Sequence, residues 1–464
     1  MMDRIDAMTE AMTDRQWAQR HLALLHEPVP PTLAEQIGLL LVDTLAVANH
    51  ARRQGIGATR IDEVLVTCQA DGSGSRIWGR DFNAAPTDAA LLNACAAEAL
   101  DYQEVLINPR NNGHAAVVIV PALMALAEQR GIGGERLLKA LWIAFAANIG
   151  LAEALGREHR RGQLGFRTTS LIAPIAAALG GAALLFDDAG RAAHAVAISA
   201  STLSAGLLAA LSPSVGSYSE DKDLAIGFAA RNAVQAVLLA EAGATGPTAT
   251  LTGEHGWLAS FGFAAQEPRR LWRDPREQDL GAYAIKPYPA CFGCQSAIRA
   301  AIELSRRYRP HEVSRLCVEV NGTSAQTLST RVIGNHLAAR FSLPYAVASA
   351  FVRGRASLDE FAPAALDDPA VLAFMAHVEV LGSTELDQAQ AASGGFPARL
   401  AAWQGTQRLA SLEYAGPLDG LAPEARRAVF EEKLQRLVSP SLRERLLEVL
   451  ANPWQIERLF RMPL

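Results

Sequence analysis

The sequence predicts a mainly α-helical protein, in which a large all-helical domain carries an inserted, smaller α+β lid domain. Half of the 464 residues are hydrophobic but only 6 % are aromatic. The apolar half is therefore mostly Ala, Leu, Val and Ile, a mixture that favours close-packed helices. The pattern also changes along the chain. Apolar helices dominate up to about residue 260, mixed strands and helices follow, and helical patterns return after Pro417.

Apolar residues at helical spacing predict a series of helices in the first half. Thr32 and Glu35 have the spacing of a capping box at the start of the first helix, and Gly55 is a natural stop after it. Several helices are rich in Ala and Gly on more than one side, as is typical of buried helices in a bundle. The predicted helices are Leu33–Arg53, Asp88–Leu100, Val118–Gln129, Gly134–Leu155, Ser170–Leu185, Gly190–Leu211 and Leu224–Ala242, with a small hairpin of strands at Val64–Thr67 and Arg76–Trp78.

An α+β module is predicted from about residue 281 to 415. A polar connection with two prolines, Gln266–Gln278, precedes it. The predicted elements are helices Cys291–Arg307 and Leu343–Arg353, strands Leu316–Asn321 and Val378–Leu381, and a hairpin of Arg399–Trp403 with Arg408–Tyr414. Helices at Pro423–Leu437 and Ser439–Leu450 are expected to rejoin the bundle. Residues 1–280 and 416–464 would then form the helical domain, and 281–415 the lid.

Composition excludes several classes of function. The net charge is −5 and no long basic block is present, which disfavours nucleic-acid binding. Five cysteines, an odd number, do not suggest a disulfide framework, and residues 1–17 lack the apolar core of a secretory signal. The longest apolar runs, Ala115–Ala127 and Leu171–Phe186, contain Pro or Gly and are too short to span a bilayer. We expect a cytoplasmic protein without a membrane partner.

Familiar cofactor and metal motifs are missing from the sequence. There is no Walker motif and no HExxH, and the glycines of Gly131–Gly134 follow a helix rather than a strand. Cys291 and Cys294 form a single CxxC without further ligands nearby, which disfavours both a zinc site and a redox dithiol. We therefore predict neither metal nor organic cofactor.

Five polar residues stand out among small and apolar neighbours. Asp101 ends a helix before a polar loop, and His114 opens a strongly apolar helix, where a partly desolvated imidazole would stay neutral and accept a proton. Lys222 ends the small-residue loop Gly216–Lys222 at a helix start, a place that attracts anions. Lys286 lies in a KPYP segment stiffened by prolines, and Tyr345 follows a proline at the head of an apolar helix. Considered one at a time, Asp101 would ordinarily be a helix cap, Lys222 an exposed lysine and Tyr345 a core residue.

The order of these segments resembles the MmgE/PrpD family, which includes 2-methylcitrate dehydratase, cis-aconitate decarboxylase and iminodisuccinate epimerase. The similar stretches are Leu40–Ala48, Ala99–Val105, His114–Glu128, Gly165–Leu179, Asp221–Pro247, Lys286–Ile298 and Ala339–Phe351. The resemblance covers about residues 30 to 450. It implies a helical domain with an α+β lid, a homodimer, an active site between the domains, small polycarboxylate substrates and no metal or organic cofactor.

The resemblance also implies roles for individual residues. Lys222 and Lys286 would hold substrate carboxylates and stabilise the negative charge of an aci-carboxylate intermediate. His114 would be the general base or acid. Tyr345 would protonate or orient the leaving group, and Asp101 would orient His114 or a lysine.

The sequence departs from the family pattern at three places. The family has an acidic motif at the position of Asp101, and this chain has Asp-Tyr-Gln-Glu-Val there. Arg167 stands where the family has a histidine, and Cys291 stands where it has another. Arg cannot shuttle protons at neutral pH but binds carboxylates through two parallel hydrogen bonds. We therefore expect Arg167 to bind substrate. Cys291 either contributes acid/base chemistry or fills space.

Three hypotheses follow. The first is a cofactor-independent lyase that dehydrates or decarboxylates a small di- or tricarboxylate. The second is an isomerase or epimerase that uses the same proton abstraction and reprotonates the other face. The third is a non-catalytic, ligand-binding relative, against which the joint presence of Asp101, His114, Lys222 and Tyr345 argues.

Overall fold

The computed structural model describes residues 13–62, 74–156, 165–211, 218–262 and 267–461. Within these ranges the chain forms a helical bundle followed by an α+β lid, and two further helices return to the bundle. The prediction of a mainly α-helical fold with a smaller α+β lid is confirmed.

The bundle is built from long helices that are buried on most sides. They are α1 (Asp14–Leu22), α2 (Pro31–Arg53), α3 (Pro86–Glu98), α4 (Ala116–Arg130), α5 (Gly134–Leu155), α6 (Thr168–Leu185), α7 (Ala189–Ser201), α8 (Asp221–Glu241) and the short α9 (Trp257–Phe261). Because Ala and Leu leave few polar groups to satisfy, α3 to α6 can be surrounded by other helices.

Two local predictions in the bundle are wrong. The capping box at Thr32 does not form, because α2 begins one residue earlier at Pro31 and no side chain caps it. Proline suits this position because it has no N–H to satisfy. The predicted helix Gly190–Leu211 is interrupted. α7 ends at Ser201, and Gly206 takes a positive φ of 63° before a short 3₁₀ turn at Leu208–Leu211.

Four described helices are long and apolar enough to cross a membrane by length and composition alone. In α2, α5, α6 and α8, 67, 94, 89 and 61 % of the most apolar window is buried inside the protein. The prediction that the run at Leu171–Phe186 is too short is therefore wrong, because α6 extends to 18 residues. The absence of a membrane partner stays a prediction.

Short strands join distant parts of the bundle. β1 (Ser75–Arg76) pairs antiparallel with β2 (Asn83–Ala84), whereas the predicted partner Val64–Thr67 lies outside the described residues. β3 (Val105–Leu106) pairs with β4 (Tyr283–Ala284). This second pair brings the loop after α3 beside the segment that carries Lys286.

The lid contains a four-stranded sheet covered by helices. β5 (Arg315–Val320) pairs parallel with β6 (Val378–Gly382) and antiparallel with β7 (Ala398–Gln404), which pairs with β8 (Gln407–Tyr414). The lid helices are α10 (Gln295–Ser305), α11 (Gly322–Thr327), α12 (His336–Arg340), α13 (Leu343–Arg353), α14 (Pro369–Met375) and α15 (Thr384–Ser393). The lid core is formed mainly by α10, α13 and the inner face of the sheet.

The chain then returns to the bundle. α16 (Pro423–Leu437) and α17 (Pro440–Ala451) pack against α2, and their apolar residues belong to the bundle core. That core draws on Trp17 to Ile285 and on Phe430 to Leu459, whereas the buried lid core draws on Ala290 to Ala402. The predicted domain boundaries at residues 281 and 415 stay predictions.

Candidate functional site

A buried carboxylate in the loop after α3 joins two lysines from distant parts of the chain. Asp101 is 1 % exposed and has a φ of 49°, a left-handed conformation that Asp tolerates better than most residues. Its Oδ2 and its backbone carbonyl each accept from Nζ of Lys286 at 3.0 Å, and its Oδ1 lies 3.4 Å from Nζ of Lys222. Burial alone would raise the pKa of Asp101, but the two lysines hold that pKa well below its usual value.

The two lysines come from different parts of the molecule. Lys222 lies in the first turn of α8 and is 1 % exposed, whereas Lys286 follows β4 and is completely buried. Burial opposes the charge of Lys222, but Glu98 and Asp101 outweigh it and raise its pKa. The predicted anion-binding loop before Lys222 is described only in part, since Gly216 and Ser217 lie outside the described residues.

Glu98 belongs to the same charged group and was not predicted from the sequence. Its Oε1 accepts from Nζ of Lys222 and from Nη2 of Arg167, both at 2.7 Å, and its Oε2 accepts from Gln103 at 2.7 Å. Burial would raise the pKa of Glu98, but Lys222 and Arg167 hold it below the usual value. One sequence signal was available. Glu98 is an acidic residue in the last turn of a helix that is mostly Ala and Leu.

Arg167 differs from the prediction of a substrate-binding arginine. Nη2 binds Glu98, and Nη1 donates to the backbone carbonyl of Lys222. The side chain is only 6 % exposed. Because both terminal nitrogens are engaged inside the protein, the bidentate grip on a substrate that we expected from Arg167 is not formed in this arrangement.

His114 lies two residues before α4 and faces this charged group. Its ring Nδ1 is 2.5 Å from the backbone carbonyl of Glu104, and its backbone N–H donates to Oγ1 of Thr169 at 3.1 Å. A carbonyl can only accept, so Nδ1 carries the hydrogen and the neutral ring keeps its lone pair on Nε2. Burial and the charge of Lys286 lower the pKa of His114 to about 4, against the opposing charges of Glu98 and Asp101.

Glu104, also missed in the sequence, fixes the start of α4. Its Oε1 accepts from the N–H of Ala116 at 2.7 Å, whereas its buried Oε2 has no hydrogen-bond partner within the described ranges. Burial raises the pKa of Glu104 to about 8, so the carboxyl is protonated at neutral pH. At neutral pH the group therefore contains a neutral acid, Glu104, and a neutral imidazole, His114, both under the influence of Lys286.

Cys291 lies near the same group but is an unreactive thiol. Burial raises its pKa to about 11, with Asp101 adding to the increase and Lys286 opposing it. Its backbone N–H donates to the carbonyl of Arg340 at 2.9 Å. Since a thiol rather than a thiolate is present at neutral pH, the geometry supports space filling over acid/base chemistry.

The structure does not bring Tyr345 into this group. Tyr345 lies in the lid core, where its hydroxyl is 2.8 Å from the carbonyl of Glu360 and 3.2 Å from that of Ala365. Burial raises its pKa to about 12. Its single proton is already donated to backbone oxygens, so we leave Tyr345 out of the proposed site.

The charges of the group nearly balance. Lys222, Lys286 and Arg167 contact the carboxylates of Glu98 and Asp101, and Asp223, whose pKa burial raises to about 7, lies 4.0 Å from Nζ of Lys222. Within the described ranges, no cluster of three or more His, Cys, Asp or Glu has the arrangement of a metal site. The arrangement combines a proton acceptor with two buried cations, which suits proton removal next to a carboxylate.

Comparison with known proteins gives the same family over most of the chain. The MmgE/PrpD N-terminal domain matches residues 15–268, and the MmgE/PrpD C-terminal domain matches residues 288–455. The chain is also similar to the cis-aconitate decarboxylase-like protein oryM of Aspergillus oryzae. The two are 25 % identical over 392 residues, which cover 78 % of this chain and 77 % of that protein. The chain belongs to the MmgE/PrpD family, whose lyase- and dehydratase-type chemistry is its expected kind of activity.

Proposed function

We propose that the protein is a cofactor-independent lyase that removes a proton, or CO₂, alpha to a carboxylate of a small di- or tricarboxylate. One observation carries this proposal. His114, with its lone pair on Nε2, lies within the electrostatic influence of Lys286, Glu98 and Asp101, and Asp101 bridges Lys286 to Lys222. The name of the Aspergillus relative supports the decarboxylating branch.

His114 is the proposed general base. Its pKa of about 4 keeps the ring neutral at physiological pH, and the hydrogen bond to Glu104 fixes which nitrogen accepts the proton. Such a base contributes about 10²–10⁴ in rate. The resulting imidazolium would be stabilised by the nearby carboxylates of Glu98 and Asp101.

The lysines are the proposed electrostatic partners. Lys286 uses two of its three N–H groups on Asp101 among the described contacts, which leaves one for a substrate carboxylate. When His114 takes the alpha proton, the electron pair of the C–H bond moves onto that carboxylate, where Lys286 and Lys222 offset the added charge. In dehydration, the pair returns to form a double bond and expels hydroxide, which leaves as water with the proton from His114. In decarboxylation, the C–C electron pair stays on the alpha carbon as CO₂ leaves, and that carbon then takes a proton from solvent, since the one ring hydrogen of neutral His114 is bound to the Glu104 carbonyl.

A substrate panel in deuterated water tests the reaction class. Purified protein is incubated with aconitates, citrates, succinates and their amino analogues, and products are followed by NMR. The proposal predicts loss of water or CO₂ from one tricarboxylate or dicarboxylate. Deuterium incorporation without either loss would replace the lyase by an isomerase or epimerase, and no reaction with any member would contradict both.

Replacing His114 tests the base directly. We expect His114→Asn to lower kcat by about 10²–10⁴ with little change in thermal unfolding, because Asn can still donate to the Glu104 carbonyl but cannot accept the proton. The wild-type rate should be level from neutral pH downward and fall as pH drops through about 4, where His114 becomes protonated. His377→Asn, a lid histidine whose ring contacts the Ser314 carbonyl, is the matched control. An unchanged kcat in His114→Asn would remove His114 from the mechanism.

A further inference from the structure

A cavity of about 750 Å³ lies where the bundle meets the lid, and it is separate from the catalytic group. Its bundle wall is the end of α2 and the following turn, from His50 to Gly57. Its lid wall contains His336, Arg340 and residues 357–359 and 361–363. Asp101, His114, Lys222 and Lys286 do not line it. An occupant of this space would therefore touch the lid and the bundle at once without filling the proposed active site.

Arg340 is a buried cation in the wall of this cavity. It is 1 % exposed, and Nη1 donates to the carbonyls of Leu100 and Pro289 at 2.9 and 2.8 Å. Its guanidinium lies 5.5 Å from the centroid of the Phe361 ring, but in the part of the chain that the structure describes no carboxylate forms an ion pair with it and its Nε has no hydrogen-bond partner. Burial lowers the pKa of Arg340 to about 10, against the more distant charges of Asp101 and Asp223. A buried charge without a paired anion is costly, so this wall favours a negative ligand.

Two histidines extend the same wall. Nδ1 of His50 is 3.0 Å from the carbonyl of Leu437, so Nε2 carries the lone pair of the neutral ring. No hydrogen bond involves the ring of His336 among the described contacts. Burial and the charge of Arg340 lower the pKa of both rings, and the charge of Lys222 adds to the effect on His336, whose pKa falls to about 4. An anion beside Arg340 would offset this repulsion and let either ring bind a proton and donate to it.

The remaining charges lie at the rim. Glu220, Asp359 and Arg436 are exposed, and Arg436 donates to Glu432 at 2.8 Å. Ile56, Leu358 and Phe361 supply apolar surface inside. The acidic side chains are thus screened by water, whereas Arg340 acts in a poorly solvated wall where charge has more effect.

We infer that this cavity binds a small organic anion, with its carboxylate or phosphate held by Arg340 and its contacts completed by His50 and His336. The inference is independent of the proposed reaction, because none of these residues belongs to the catalytic group.

Protection from diethylpyrocarbonate tests the site without an activity assay. The full chain is labelled at neutral pH in citrate, in inorganic phosphate, or in sodium chloride of equal ionic strength, and each histidine is quantified by peptide mass spectrometry. At an anion concentration about ten times its dissociation constant, labelling of His50 and His336 should fall about tenfold. His377, outside the cavity, should be labelled equally throughout. Protection by only one anion would support the site and identify the group that it takes.

Variants separate this site from the catalytic group. Arg340→Met should require about tenfold or more anion for the same protection, because a charge-assisted contact is lost. His336→Gln should weaken protection of His50 and gives a second readout if Arg340→Met fails to fold. Arg355→Met, which removes a lid arginine paired with Glu360, is the matched control. Protection should persist in His114→Asn. Equal labelling of His336 with and without both anions, or loss of protection in His114→Asn, would overturn the inference.

Discussion

At the scale of single residues, Glu98 sets the charge of the candidate site. One buried carboxylate oxygen accepts from both Lys222 and Arg167, so two cations that sequence reasoning assigned to substrate are partly neutralised from within. Removing one partner of a buried ion pair usually costs more than the pair contributes, since the remaining charge stays buried. Glu98 therefore stabilises the fold while it limits how strongly the site attracts anions.

Glu98→Gln should show both effects. We expect the free energy of unfolding to fall by about 3–5 kcal/mol, because Lys222 and Arg167 lose their shared carboxylate. Binding of a substrate carboxylate should become tighter at the same time. Urea unfolding and the KM of the active substrate measure the two effects. Glu432→Gln, which removes an exposed partner of Arg436, should change stability by less than about 1 kcal/mol. A Glu98→Gln protein as stable as wild type would contradict this role.

Glu104 makes stability depend on pH in the opposite direction from most acids. Its pKa is about 8 in the folded chain and about 4.5 when unfolded, so between these values only the folded state holds the proton. Stability from this group is present at low pH and lost as pH rises towards 8. Glutamine cannot ionise, so this decrease should be absent in Glu104→Gln. The free energy of unfolding should then fall less steeply with pH, by about 1.4 kcal/mol per pH unit. Urea unfolding between pH 5 and 8 measures it, and an unchanged slope would contradict the assignment.

Some of the residues predicted from the sequence come together in the structure, and others in the same group were missed for a physical reason. Asp101, Lys222 and Lys286 meet, and His114 is the neutral ring that its position before an apolar helix predicts. Glu98, Glu104 and Arg340 were missed, because a pattern of residue types reveals a buried charge but not the distant partner that neutralises it. Tyr345 shows the same gap, since its backbone partners Glu360 and Ala365 lie in two short 3₁₀ turns that hydrophobic periodicity does not predict.

At the scale of elements, the close approach of α3 and α8 positions Glu98 against Lys222. A Cβ atom added to Gly227 in α8 would lie 2.9 Å from the backbone oxygen of Leu91 and 2.3 Å from Sγ of Cys95, both in α3. No side chain larger than hydrogen fits there without moving a helix. The small residue thus fixes the distance on which the buried ion pair depends.

Gly227→Ala should test that distance. We expect a loss of about 1–3 kcal/mol in stability, because the added methyl group meets backbone that cannot move aside easily. Gly150→Ala in α5 is the matched control, since its Cβ would have only ordinary contacts from 3.8 Å and alanine is the better helix former. Thermal unfolding compares the two. Equal Tm values would show that α3 and α8 can separate without cost.

Most helices could be predicted because apolar residues recur at helical spacing along each of them, but the ends of the helices could not. α2 begins at Pro31, before the apparent capping box at Thr32, and proline at a first turn needs no such cap. α7 ends near Ser201 and Thr202, whose hydroxyls donate back to carbonyls four residues earlier. These hydroxyls compete with the helix for backbone partners, an effect that hydrophobic spacing does not report.

At the scale of the whole molecule, a second buried ion pair ties the returning helices to the bundle. Nζ of Lys433 in α16 lies 2.6 Å from Oδ1 of Asp43 in α2 and donates to the carbonyl of Tyr102 at 2.6 Å. Both side chains are about 1 % exposed. Lys433 thus connects a C-terminal helix both to α2 and to the loop that carries Asp101.

Lys433→Met should destabilise the protein by about 3–5 kcal/mol, because Asp43 is left buried without its cation. Asp43→Asn combined with Lys433→Met should recover part of that loss, since no unpaired charge remains. Urea unfolding of the two single variants and the double variant gives the coupling between them. Additive losses in the double variant would contradict a direct pair. Arg427→Met, which breaks an exposed pair with Glu431, is the control.

The return of α16 and α17 to α2 has a consequence for synthesis. During translation the bundle helices leave the ribosome first, yet a face of α2 and the Asp43 carboxylate have no cover until residues beyond 423 emerge. The lid, whose buried core lies between Ala290 and Ala402, is complete before that point. We therefore expect a released chain truncated near residue 420 to hold a folded lid beside a protease-sensitive bundle.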